Sequence, residues 1–415
     1  MDIKNLTENY SKDLEQLVQT QVQKDALESF LKRGLPHTKM EDWLYTKTHD
    51  VLPENFKKVE DKGLLKSVKV AGKYQVVFLN GQYSKTDSFF PEEISVELKE
   101  STLDNTDKED IFAKLNHSAN SQVLEIKVPK NFRADDTITI VHISSFESSF
   151  ATPRIHVELG THAEVEFVEY FTGDNEKSYN NISVVTFDLD AGARSKHIKV
   201  QDEGNKAFHV ASTYAYVKRD ANFKSFTFNT GGLKARHNLH VYLNETGAEA
   251  SVDGLYTLKG NQHCDNFSFI KHAVEHTNSS QLFKGVLDGS SRAAFTGKVY
   301  VDRDAQQINS EQLNKNLLLT KKAHVDTRPQ LEVYADDVKC AHGATVGQMN
   351  EEEAFYLQSR GLSRERAQKL LIHAYCSETL LKIENDKIEN FLSEILFESF
   401  EKEAFEHIDS QEANL

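Results

Sequence analysis

The chain has 415 residues, 39% hydrophobic and 27% charged, with 49 Lys and Arg against 64 Asp and Glu and a formal charge of −15. This length suits two or three domains or one elongated one, and the acidic balance argues against nucleic acid or an anionic membrane as partner. No apolar run approaches the ~18 residues of a membrane span, the N-terminal "MDIKNLTENYSKD" lacks an export signal, and three scattered cysteines make no disulfide framework, so a cytoplasmic protein is expected.

Residues 11–33 place Leu14, Leu17, Val18, Val22, Ala26, Phe30 and Leu31 three and four apart, with Gly34 and Pro36 behind them. That spacing predicts an amphipathic helix. A short helical stretch or turn around "KMEDWLYT" holds the only tryptophan, Trp43, and "YQVVFLNG" at 74–81 reads as a strand. Residues 1–115 are therefore expected to form a mixed α/β helical module.

From 116 to 347 the chain consists of short Val, Ile, Thr, Phe and Tyr-rich runs broken by Asp, Asn and Gly, which predicts a long all-β region. Ala163, Ala193, Ala221 and Ala248 recur in similar turns at spacings of 30, 28 and 27. A sandwich has no reason to repeat at nearly constant length, whereas stacked coils do, so the pattern favours a parallel β-helix or solenoid. After Gly347 the chain turns helical. Asn350 and Ser363 are placed to cap helices, Ala367, Leu370, Leu371, Ala374 and Tyr375 lie on one helical face, and Ile388, Phe391, Leu392, Ile395 and Leu396 lie on another. Residues 348–415 thus read as a helical domain that caps the β stack, docks a partner, or both.

Few constellations carry chemistry. "HAVEH" at 272–276 spells a zinc-protease pattern, but its alternating, Asn/Ser-rich flanks predict a strand running into a turn, which separates His272 and His276 by ~13 Å. His237 and His240 of "HNLH" point to opposite faces of a strand, and most of the 17 histidines are expected as solvated or hydrogen-bonded wall residues. The chain lacks both a phosphate-binding Gly-x-x-x-x-Gly-Lys loop and a Gly-x-Ser-x-Gly elbow. Cys340 and His342, in "ADDVKCAHGATVGQ", share one face if they lie on a strand. Two ligands are too few for a structural zinc or an iron-sulfur cluster. The pair is either half of a site or a small thiol beside a turn histidine.

Residues 281–347, "QLFKGVLDGSSRAAFTGKVYVDRDAQQINSEQLNKNLLLTKKAHVDTRPQLEVYADDVKCAHGATVG", followed by "FYLQSRGLSRERAQKLLIHAY", resemble the shared core of the SufB/SufD family of iron-sulfur cluster assembly proteins, as does "PHTKMEDWLYT" near the N-terminus. "KCAHGATVG" resembles the SufD form of its segment, and "NLLLTKKAHVDT" lacks the cysteine that SufB carries there. The resemblance implies a right-handed parallel β-helix between an N-terminal helical module and a C-terminal helical domain. It also implies a non-catalytic scaffold that pairs with SufB through the β-helix ends and with the ATPase SufC through the C-terminal helices. Contacts with SufC would fall around Tyr356, Arg360 and Arg364, and His342, with Cys340 in a weaker role, would serve a transient cluster shared with SufB. Alone, the chain would hold no stable cluster and could pair with itself. Two rivals stand beside this expectation: a purely structural partner of SufB, and a β-helix enzyme acting on polysaccharides, for which no convincing carboxylate pair is present.

Overall fold

A computed structural model describes residues 3–48, 51–53, 68, 70–102 and 110–401. Two long sheets run side by side through it. The first contains, in chain order, β1 (Tyr74–Leu79), β2 (Gln82–Phe89), β5 (Ile138–Ser144), β8 (Glu164–Gly173), β10 (Arg194–Asp202), β12 (Asn222–Asn229), β14 (Glu249–Leu258), β16 (Asn278–Leu287), β18 (Ile308–Leu318) and β20 (Val338–Gln348). The second contains β3 (Ser95–Glu100), β4 (Gln122–Val128), β6 (Phe150–Ala151), β7 (Arg154–Leu159), β9 (Asn180–Leu189), β11 (Phe208–Val217), β13 (Lys234–Leu243), β15 (His263–His272), β17 (Arg292–Val301) and β19 (His324–Val333). From β7 onward the chain alternates between the sheets, and neighbouring strands pair in parallel except β1–β2 and β3–β4, giving a mainly β solenoid of about 8 turns.

The alanine repeat marks the coil corner. Ala163, Ala193, Ala221 and Ala248 are fully buried, and each precedes a strand of the first sheet. The residue before each has positive φ: His162, Gly192, Asp220 and Gly247. A left-handed residue turns the chain inward, and only a small side chain fits between stacked corners. His276 occupies the same left-handed position one coil later, before Thr277. The "HAVEH" run is therefore the end of β15 and a corner, as its flanks predicted. His272 is buried, bonded to Thr277 Oγ1 at 2.8 Å and Ser279 Oγ at 2.9 Å, and burial pulls its pKa down to about 4.

The interior is not uniformly apolar, and several histidines expected on the wall turn inward. His142 and His197 contact the two oxygens of buried Glu169 at 3.2 and 3.1 Å. Burial works to raise the Glu169 carboxyl, yet the two imidazoles hold it far below the usual range. Nearby Lys199 is fully buried, its amine has no hydrogen-bond partner among the described residues, and burial lowers its pKa to about 8 against the pull of Glu169 and Glu203.

Helices cover the outer faces. The expected helix over 11–33 divides into α1 (Ile3–Glu15) and α2 (Gln21–Arg33) because Thr20 and Gln23 form a capping box that starts a new helix. With α3 (Ile111–Ala119) these pack against Phe150, Ile182 and Val210 of the second sheet. The strands β1 to β3, although they lie within residues 1–115, extend the two sheets.

At the other end α4 (Glu351–Ser359), α5 (Arg364–Leu380) and α6 (Asp386–Glu401) follow β20. Asn350 and Ser363 cap α4 and α5 as expected. Ile372, Cys376, Ile388, Phe391 and Leu392 pack onto Val168, Ile198, Phe228 and Val286 of the first sheet. The last coil projects beyond this cover.

Candidate functional site

Cys340 and His342 lie on β20, the final strand of the first sheet, in register with Ser310 and Gln312 of β18, which in turn align with Ser279 and Gln281 of β16. Side chains two apart on a strand share a face, and in β16 and β18 that face is the interior: Ser279, Gln281, Ser310 and Gln312 are buried, whereas Ser280 and Glu311 between them are exposed. Cys-x-His thus occupies the place of a Ser-x-Gln found in each of the two preceding coils.

Those two rungs are bonded to one another. Ser279 and Ser310 hydroxyls meet at 2.8 Å, and the Gln312 amide Nε2 donates to Gln281 Oε1 at 2.8 Å. Gly297 on the opposite wall makes room, since a Cβ there would collide with the Gln312 amide. The next rung is Cys340 and His342, on the edge strand, and no coil among the described residues covers it. His342 is exposed, and Gln312 Oε1 beneath it is buried without a hydrogen-bond partner among the described residues. Cys340 is half-buried against an apolar cluster with Ile308, Ala335 and Leu331, and burial raises its pKa, so the thiol form is favoured. The histidine is the readier ligand, because a cysteine binds metal as thiolate.

Two ligands stand together here. Among the described residues, three or more His, Cys, Asp or Glu ligands within reach of one ion occur at Glu125, His156 and Glu158, where Lys127 pairs with both glutamates and Lys99 with Glu125. Cys264 and Cys376 are buried elsewhere, in β15 and α5, each with its thiol pushed up to about 12 by burial.

The second group of expected site residues lies on the α4–α5 hairpin. Arg360 donates to the Tyr356 hydroxyl at 3.2 Å and stacks over its ring at 5.2 Å, while Arg364 faces Glu351 at 3.6 Å. All three side chains are exposed. The face of α5 that carries Leu370 and Ala374 also points to solvent, because Ile372 and Cys376 are the residues that pack on the sheet. With Phe355 at 72% exposure, Tyr356 at 57% and Leu370 at 49%, the hairpin presents more apolar surface than α4 buries, which is Ala354 alone. Phe355 and the Ser-x-Gln rungs escape a reading of the sequence that looks for ligands. The rungs are nonetheless visible as a spacing of 31 and then 30 residues, from Ser279 to Ser310 to Cys340.

Residues 141–375 match the family model described as SUF system FeS cluster assembly, SufBD core domain. The chain is 31% identical over 366 residues to the iron-sulfur cluster assembly protein SufD of Escherichia coli, covering 85% of this chain and 86% of that one. An iron-sulfur cluster assembly SufBD family protein of Synechocystis is 32% identical over 288 residues, 67% of this chain and 64% of its own. A chloroplastic protein of Arabidopsis thaliana is 31% identical over 320 residues, 74% and 67% respectively. The chain belongs to the SufB/SufD family of iron-sulfur cluster assembly proteins, on its SufD side.

Proposed function

We propose that the chain is a non-catalytic scaffold of the SUF machinery, pairing with SufB at the open last coil and with the ATPase SufC at the α4–α5 hairpin, and that His342 supplies a ligand to a cluster built between it and SufB. The observation that carries this reading is the uncovered rung: a metal-ligating pair stands where two covered coils carry Ser and Gln. Imidazole and thiolate both bind iron, and an incomplete ligand set suits a cluster that must later leave. Cys340 favours a second reading, a purely structural partner, since its raised, half-buried thiol resembles a packing residue.

Copurification of the chain with its cellular partners, with iron and sulfide assayed, tests the proposal. Iron and sulfide are expected in the complex with SufB and absent from the chain alone. A stable cluster on the isolated chain, or a SufB complex that never carries one, contradicts it. Arg360→Glu with Arg364→Glu is expected to abolish SufC capture while the temperature of unfolding stays near wild type, because both side chains are exposed. Unchanged capture moves the ATPase surface elsewhere.

A further inference from the structure

A cleft of about 560 Å³ opens between the N-terminal segment around Trp43, the start of α3 and the outer face of the second sheet. Its size falls within the ~300–1,000 Å³ of small-molecule sites. One wall is aromatic. His240 stacks on Tyr214 with centroids 5.0 Å apart and planes 11° apart, and Phe269 stands 6.0 Å from both His240 and Tyr242. His240, Tyr242 and Phe269 are partly exposed, and because Tyr214 and Phe267 flank the His240 ring and Tyr216 flanks the Tyr242 ring, the wall turns ring edges to the cleft.

Polar groups stand around this wall with bonding capacity unused. Neither the Asp42 carboxylate nor the His240 ring makes a hydrogen bond among the described residues. Lys271 and Lys298 line the same cleft, paired with Asp302 at 2.9 Å and Glu332 at 2.6 Å. A neutral imidazole meets the face of an aromatic ligand without added charge, and burial holds His240 near a pKa of about 4.

We propose that this cleft binds a mononucleotide whose base carries an exocyclic amine: the base lies across the ring edges of His240, Tyr242 and Phe269, Asp42 accepts from the amine, and Lys271 and Lys298 take the phosphate. Edge-to-face packing on aromatic side chains tolerates any base, so the carboxylate supplies the choice among bases. The acidity of the whole chain disfavours a polynucleotide, which would need a long basic track. The site is independent of the last coil and of the cluster reading.

Trp43, the only tryptophan, lines the cleft and reports on it. The purified full-length chain is titrated with adenosine monophosphate, uridine monophosphate, adenosine and inorganic phosphate, following Trp43 emission and heat of binding. Saturable binding of adenosine monophosphate is expected, with uridine monophosphate about tenfold weaker, a difference of about 1.4 kcal/mol, and no change in emission with phosphate alone. Lys271→Ala with Lys298→Ala is expected to weaken the nucleotide about tenfold and leave adenosine unchanged, while Asp42→Ala erases the preference between the two bases. The thermal unfolding of each variant is compared with wild type, and the lysine pair serves as the test should Asp42→Ala not fold. Absence of saturable binding at millimolar nucleotide, or binding that ignores both variants, overturns the proposal.

Discussion

In the middle coils of the solenoid, inward-facing histidines, glutamates and a lysine are sealed from water by the coils on either side. In the last coil, the inward-facing column ends in Cys340 and His342, on the edge strand, with nothing stacked above them among the described residues. Glu169 spends its charge on His142 and His197, and the fully buried Lys199 amine has no hydrogen-bond partner among the described residues. His342 has open space before it and an unsatisfied Gln312 oxygen beneath. Burial therefore separates two uses of similar residues. Sealed groups are bound to the stability of the fold, whereas the uncovered pair can be altered at little structural cost and can meet a partner.

The largest expected effect lies in the sealed region. Glu169→Ala strips His142, His197 and Lys199 of their shared carboxylate, and breaking a buried charge network of this kind costs about 3–5 kcal/mol. Urea unfolding of the full-length chain measures it. A loss below about 1 kcal/mol would mean that water reaches this interior and that the middle coils differ little from the last one.

Lys199 provides the next effect, of opposite sign. Its folded pKa of about 8 lies below the ordinary 10.5, so the unfolded chain holds the proton more tightly. The penalty is fully present below pH 8 and disappears as the pH rises through 10.5, so the lysine's own contribution to stability climbs across that window. Buried Cys264 and Cys376, and above them Tyr10 and Tyr256, have raised pKa values and pull the other way as their unfolded forms ionise, so the lysine is read from the difference between wild type and variant over pH 8 to 10. Lys199→Met is expected to flatten the climb and to add up to about 3 kcal/mol at neutral pH. An unchanged slope would show that Lys199 is not the group responsible.

Much of this architecture is legible in the sequence, for reasons that differ by element. The coil corner shows itself because a left-handed residue followed by a small one is a local requirement repeated at each turn, as at His162–Ala163 and Gly192–Ala193. The break between α1 and α2 is equally local, resting on Thr20 and Gln23, although a hydrophobic spacing that continues through Leu17 and Val18 conceals it. The sealed charges are harder to see. A polar residue on a strand normally signals the outer face, and only the stacking of β8 on β10 brings His197 to Glu169. Cys340 and His342 are conspicuous as a pair, but their meaning depends on register with Ser310 and Gln312 and on their place on the edge strand, both properties of the assembled stack. The exposure of Leu370 likewise depends on which face of α5 meets the sheet.

The smallest expected effect on stability belongs to His342, whose place in cluster assembly is separable from the fold. His342→Ala removes an exposed imidazole, so unfolding should stay within about 0.5 kcal/mol of wild type, and the complex with SufB should still form. In a strain lacking the native protein, iron and sulfide in the purified complex are then expected to fall sharply, while Cys340→Ala has the lesser effect. Normal cluster content with His342→Ala would contradict the shared-ligand account and leave the chain a structural partner of SufB.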